Sequence, residues 1–356
     1  MTFSRFKKVL QQKLPYPIIE LPTSSLRRKG MPYFTFSPFQ DTEDNYIRLA
    51  NSNDFYIKKQ ETIRKINTLD LTNPLCVNNQ WTYAIQNYQK IDQADNIKRM
   101  IDALCLEFFP NLSKQEIEIT FPITLKTFFR KNFFPYRLNP DVMEKRYQAR
   151  LPLPGEHYYL KVRMKHQKGW LNIVDFVLVN FDQKNLSSQL DSIWVEDLID
   201  LIEEDKTYIF DEKKYVSLQK IVRSISEDKR DQHILLNDFR LIQKMLSLGI
   251  EPSSKGSGND LKRKIRSFYF YNVFYLKLDL DGIKAWLDQM PPSAFHTNIS
   301  RQILLSTLEK IDREYKKSVK DYWCNNYGRK FAQDSLGLPN EFFGDFLVNS
   351  KTEYNF

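Results

Sequence analysis

A chain of 356 residues with 42% hydrophobic and 27% charged side chains is globular rather than disordered, and its 10 glycines leave few places for a nucleotide-cradling loop. Its 53 Lys plus Arg against 44 Asp plus Glu, a net charge of +9, favour polyanionic partners, and 26 Phe, 19 Tyr and 5 Trp offer rings for stacking. Cys76, Cys105 and Cys324 are scattered and His157, His166, His233 and His296 dispersed, which argues against a disulfide scaffold, a zinc ribbon or a metal cluster.

The N-terminus is basic, but Pro15 and Pro17 stand where a signal peptide would need an apolar run. No stretch approaches the ~18 apolar residues of a membrane-spanning helix. The expectation is a soluble, cytoplasmic protein without cofactor or metal. The first thirty residues predict a short helix followed by an extended arm carrying Arg27, Arg28 and Lys29. A polar helix is expected over 55–66 and a clearer one over 91–108, where Ile97, Met100, Ile101, Leu104 and Phe108 recur at 3–4 spacing. Residues 121–138 interleave six aromatic residues with Lys126, Arg130, Lys131 and Arg137, mostly core rings with a basic rim.

After Pro152, Pro154 and Gly155 the period changes to two. Tyr158, Leu160, Val162 and Met164 fall on one side of a strand, and Tyr159, Lys161, Arg163 and Lys165 on the other. Lys168-Gly169 turns into a second strand, Trp170–Phe181, apolar on both faces. A helix is expected over 193–204, then a hairpin over 208–218. Helices follow over 233–248, with Gly249 as its left-handed terminator, 261–278, 283–289 and 298–323. Ser253–Gly258 reads as a linker.

These elements predict an α+β fold with a small central antiparallel sheet flanked by mainly helical N- and C-terminal regions. The expected domains are a basic arm plus helical, aromatic region at 1–150, an α/β middle domain holding the main sheet at 151–252, and a helical domain at 259–356.

Motifs for chemistry are sparse. Lys255–Asn259 precedes a helix opening with Lys262, Arg263, Lys264 and Arg266, a candidate phosphate contact that lacks the G-K-[ST] of a nucleotide-binding loop. A metal-dependent nuclease would need carboxylates and a lysine to converge, for which Asp175, Asp182 with Lys184, and Glu212 with Lys214 are the candidates. Cys324 and His296 form a thiol–imidazole pair only if folding brings them together.

Gly169–Ile173, the helix at 195–204 and the stretch Lys206–Leu218 together resemble the accessory region of bacterial SNF2-type helicases: a tryptophan-led strand, a short helix and a hairpin. A glycine usual in that hairpin is replaced by Glu212 or Lys213, and no helicase motor follows. The resemblance implies a stand-alone accessory or DNA-handling partner.

Charge and composition point first to a non-enzymatic nucleic-acid-binding accessory protein that acts on DNA with a protein partner, in a mobile-element or anti-phage defence setting. Its expected contacts are Arg27, Arg28, Lys29, Lys161, Arg163, Lys165, Lys262, Arg263, Lys264 and Arg266, with no catalytic residue assigned. A metal-dependent nuclease and a protein–protein scaffold or bacterial effector are the alternatives.

Overall fold

The computed structural model describes residues 2–353 apart from 27–34, 36, 65, 67, 72–75, 111–112, 130–132, 134, 144, 146, 168, 296 and 325–337. Eight strands and eleven α-helices lie among the described residues. The strands are β1 (Ile18–Glu20), β2 (Phe55–Ile63), β3 (Asn79–Ile91), β4 (Ile117–Pro122), β5 (Arg137–Asp141), β6 (Tyr158–His166), β7 (Gly169–Asp182) and β8 (Ser187–Val195). The helices are α1 (Phe3–Lys13), α2 (Asn45–Arg48), α3 (Ala94–Ile101), α4 (Lys126–Phe129), α5 (Glu196–Glu203), α6 (Val216–Arg223), α7 (Lys229–Ser247), α8 (Gly256–Phe274), α9 (Leu280–Gln289), α10 (Asn298–Cys324) and α11 (Phe343–Glu353).

All strands join one mixed sheet in the order β1-β2-β3-β8-β7-β6-β4-β5. The β1–β2 and β4–β5 pairs are parallel, whereas β3–β8, β8–β7, β7–β6 and β6–β4 are antiparallel. The expected small antiparallel sheet with helical flanks is therefore wrong. Five of the eight strands come from residues before 142, and the fold is mixed α/β around a large sheet.

The chain forms two compact units, one from Met1–Leu26, Thr35–Ile63 and Gln80–Ile209, the other including Arg64–Asn79 and Phe210 onward. In the first unit, β6 alternates as read: Leu160, Val162 and Met164 are buried, while Lys161 and Arg163 are half-buried and Lys165 is exposed. Gly169, at φ +105°, takes the left-handed turn into β7, a conformation that a Cβ disfavours. One sheet face carries Tyr83, Phe176 and Trp194, with Phe6 of α1 packed on Tyr83 and Trp194. The other carries Tyr56, Tyr88, Val177 and Val179, packed with Phe39, Tyr46 and Ala149.

The helix expected over 55–66 is strand β2. Its polar residues misled because they are buried with distant partners. Lys58 Nζ donates to Ser24 Oγ at 2.5 Å and to Asp41 Oδ2 at 3.1 Å, and Gln60 Nε2 reaches the Ser24 carbonyl at 3.2 Å. The rings of 121–138 that the structure describes are core: Phe121, Phe128, Phe129, Phe133 and Tyr136 are all buried.

In the second unit, α7, α8 and α10 build a core of rings, with Phe239 and Phe268 against Trp286, and Phe270 and Phe274 against Tyr315. Gly249 ends α7 at φ +68°, as its position predicts. The hairpin expected over 208–218 is absent. Short 3₁₀ turns at Ile209–Asp211 and Lys213–Tyr215 lead into α6. Asp211 fastens this helical segment by accepting from Gln219 and, at 2.7 Å, from Lys229 on α7. Aromatic content suggested β structure there, but the polar partners favour helix.

Candidate functional site

The four cations that open α8 separate by helical geometry, because successive residues are turned by about 100° and only positions three or four apart share a face. Lys264 turns inward. Its Nζ lies 2.8 Å from Asp238 Oδ1, 3.2 Å from Thr68 Oγ1 and 3.3 Å from the Ile66 carbonyl, while Thr68 donates to Asp238 Oδ2 at 2.7 Å. Asp238 is fully buried, so this ammonium is an internal counter-charge. Arg263 points outward and is exposed. Lys262 and Arg266, four apart, both face α10, where Arg266 Nη2 donates to Glu314 Oε2 at 2.7 Å.

On that side a cleft of about 590 Å³ is lined by Glu251–Ser254, Lys262 and, from α10, Ile303, Ser306, Thr307, Lys310, Ile311, Arg313 and Glu314. One wall is the stretch between α7 and α8, read from sequence as a flexible linker. It is anchored: Ser253 N–H donates to the Gly258 carbonyl at 3.1 Å and Ser253 Oγ to the Lys255 carbonyl at 3.1 Å. Gly258 is required there, since a Cβ would collide with the Glu251 carbonyl and the Ser253 side chain. The opposite wall is held by the core face of α10, where Leu304, Leu308, Ile311 and Tyr315 are buried.

Three cations, Lys262, Lys310 and Arg313, meet two carboxylates in this lining, and Glu314 is already engaged by Arg266. Burial, then Arg266 and Lys310, push the Lys262 ammonium below the ordinary lysine range, with Glu314 acting in the opposite sense. A bound anion would relieve that repulsion. Ser306 Oγ and Thr307 Oγ1 donate their protons to the Ile303 carbonyl, at 3.1 and 2.7 Å. They therefore present acceptor lone pairs to the cleft.

The other expected contacts lie elsewhere. Lys161, Arg163 and Lys165 share one face of β6 in the first unit. Lys161 is in register with Asp175, and Arg163 Nη1 lies 3.5 Å from Glu118 Oε1, a buried carboxylate that also meets Arg137 at 3.2 Å. Lys165 is exposed and helps hold the Glu116 carboxyl below its usual range, behind the larger effect of Ser113 hydrogen bonds. Tyr159 packs against the Tyr56–Tyr88 cluster. Arg27, Arg28 and Lys29 lie outside the described residues, as do His296 and the Cys324 side chain.

The nuclease candidates are each engaged locally. Asp175 Oδ1 accepts from Asn172 at 2.9 Å, Asp182 caps the β7–β8 turn through the Lys184 and Asn185 amides, and Glu212 is buried with Lys214 Nζ at 2.8 Å. Among the described residues no three His, Cys, Asp or Glu side chains are grouped as metal ligands. No helix there is long and apolar enough to cross a membrane. Lys310, Arg313 and Glu251 escape a reading of the sequence. Their one signal is the basic pair three apart on α10, hidden within the apolar rhythm of that helix.

No family model matches the chain, and no curated protein matches it. Among solved structures it is similar to PylSc, a pyrrolysyl-tRNA synthetase of Desulfitobacterium hafniense, at a TM-score of 0.32 and 10% identity, over 58% of this chain and 69% of that one. A likeness this slight carries no inference about activity. The resemblance of 169–218 to the SNF2 accessory region does not hold: its tryptophan-led strand is inside the eight-stranded sheet, and its expected hairpin is helical.

Proposed function

We propose that this is a non-enzymatic nucleic-acid-binding protein, acting with a protein partner, whose phosphate contact is the cleft between the α7–α8 stretch and α10. The observation that carries the reading is the cation cluster itself. Lys262, Lys310 and Arg313 stand together with Arg266 behind them, against two carboxylates, and burial, then Arg266 and Lys310, depress the Lys262 ammonium. Lys264 is excluded from the contact set because it serves Asp238.

The test is a salt titration of single-stranded DNA binding by fluorescence anisotropy. The double variant Lys310→Glu/Arg313→Glu is expected to bind at least tenfold more weakly, about 1.4 kcal/mol. Its log–log salt slope should be shallower by about 0.7 for each phosphate that is no longer neutralised. Unchanged affinity and slope in a variant with a wild-type melting profile would overturn the assignment. The same oligonucleotide incubated with Mg²⁺ should remain intact; cleavage would favour the nuclease alternative.

A further inference from the structure

We infer that the cleft takes one phosphorylated nucleotide unit, a chain terminus bearing a phosphomonoester or a free nucleotide, rather than a run of phosphodiesters. This deepens the proposed function and rests on the cleft being its phosphate contact.

A cavity of about 590 Å³ belongs with small-molecule sites of roughly 300–1,000 Å³. Grooves that track single strands commonly span about four or more nucleotides and line them with successive cations and rings. The lining charges point the same way. Glu251 and Glu314 stand in the same walls as Lys262, Lys310 and Arg313. A continuing polyanion would meet those carboxylates with its next phosphates, whereas a single unit can place its phosphate on the cations and turn hydroxyl or amino donors to the carboxylates. A phosphomonoester carries about −1.5 to −2 charges at neutral pH, more than a diester, and so gains more from a tight cation group. Part of the lining is apolar. Pro252 and Ile303 provide a non-polar surface for a base or sugar beside the charged end. Ser306 and Thr307, with their protons committed to Ile303, offer acceptors to the same donors as Glu251.

The full chain is titrated with one labelled single-stranded DNA sequence carrying a 5′-phosphate, a 3′-phosphate or hydroxyl ends. Competition uses adenosine monophosphate and, separately, inorganic phosphate. We expect one phosphorylated end to bind at least tenfold more tightly than the hydroxyl-ended strand, and adenosine monophosphate to compete better than inorganic phosphate. Lys310→Gln should erase the difference between the ends. Competition by adenosine monophosphate without an effect of the chain end would mark the free nucleotide as the ligand and support the inference. Equal binding of all three strands, weakened by Lys310→Gln but not displaced by nucleotide, would overturn this inference and leave the proposed function standing. Inorganic phosphate competing as well as the nucleotide would also overturn it. Binding unaffected by Lys310→Gln and by Lys310→Glu/Arg313→Glu would remove both readings.

Discussion

Asp191 shows how much one side chain can owe to its surroundings. It lies on β8 in register with Gln86 of β3 and Val177 of β7, is fully buried, and its Oδ1 has no hydrogen-bond partner among the described residues. Burial pushes its carboxyl up to about 7, although the Ser192 amide and Gln86 act in the opposite sense. Burial, and then this carboxyl, raise the Tyr46 hydroxyl, and burial raises Tyr88 beside it. An unfolded aspartate titrates near 3.9, so between about pH 4 and 7 the folded state holds the extra proton. Stability from this group is therefore complete below about pH 4 and lost as pH rises through about 7. Asp191→Asn keeps the shape and removes the proton linkage. Relative to wild type it should gain stability from pH 5 to pH 8, by no more than about 3 kcal/mol, since only about two of those pH units lie below the folded titration at about 1.36 kcal/mol each. Denaturant melts at the two pH values check this, and a constant difference between the proteins would refute it.

At the scale of elements, α8 joins two tasks through its periodicity. Its inward residues Leu261, Ile265 and Phe268 are buried, Lys264 balances Asp238, Lys262 borders the cleft, and Arg266 holds Glu314 in the cleft wall. Entry to this helix depends on Gly258. Gly258→Ala should displace the 251–253 wall and destabilise the protein by about 1–3 kcal/mol, the usual cost of overpacking. Oligonucleotide affinity should fall with it, although no charge has changed. Gly344→Ala is the contrast: a Cβ there meets nothing within 4 Å, and Ala favours a helix by up to about 1 kcal/mol. Thermal melts and anisotropy on the pair measure both effects, and matching behaviour would show that Gly258 does not shape the wall. The α8 cations were legible in sequence as a cluster. Their division among a buried ion pair, an exposed position and a cleft was not, because it depends on what stands opposite each turn of the helix.

At the scale of the whole molecule, the net charge of +9 raises the alternative that any polyanion is held by the general field and no particular site. Arg263→Glu and Lys310→Glu each remove the same two charges, one from the exposed side of α8 and one from the cleft. If the cleft is the contact, Lys310→Glu weakens oligonucleotide binding about tenfold and Arg263→Glu by less than about threefold. Equal losses at low and moderate salt would assign the binding to the field. The sequence by itself determined the elements whose evidence is local: the β6–β7 hairpin from its alternation and Gly169, the end of α7 at Gly249, and the four helices α7, α8, α9 and α10 from their apolar spacing. Only the tertiary structure decided that Phe55–Ile63 is a strand, since Lys58 and Gln60 become tolerable in a core once Ser24 and Asp41 supply their partners. It also decided the cleft, whose walls are drawn from residues 251–262 and 303–314. Local pattern sets which way a side chain points along its own element, whereas the polar partner that makes burial tolerable, or a charge useful, comes from a segment that no local pattern contains.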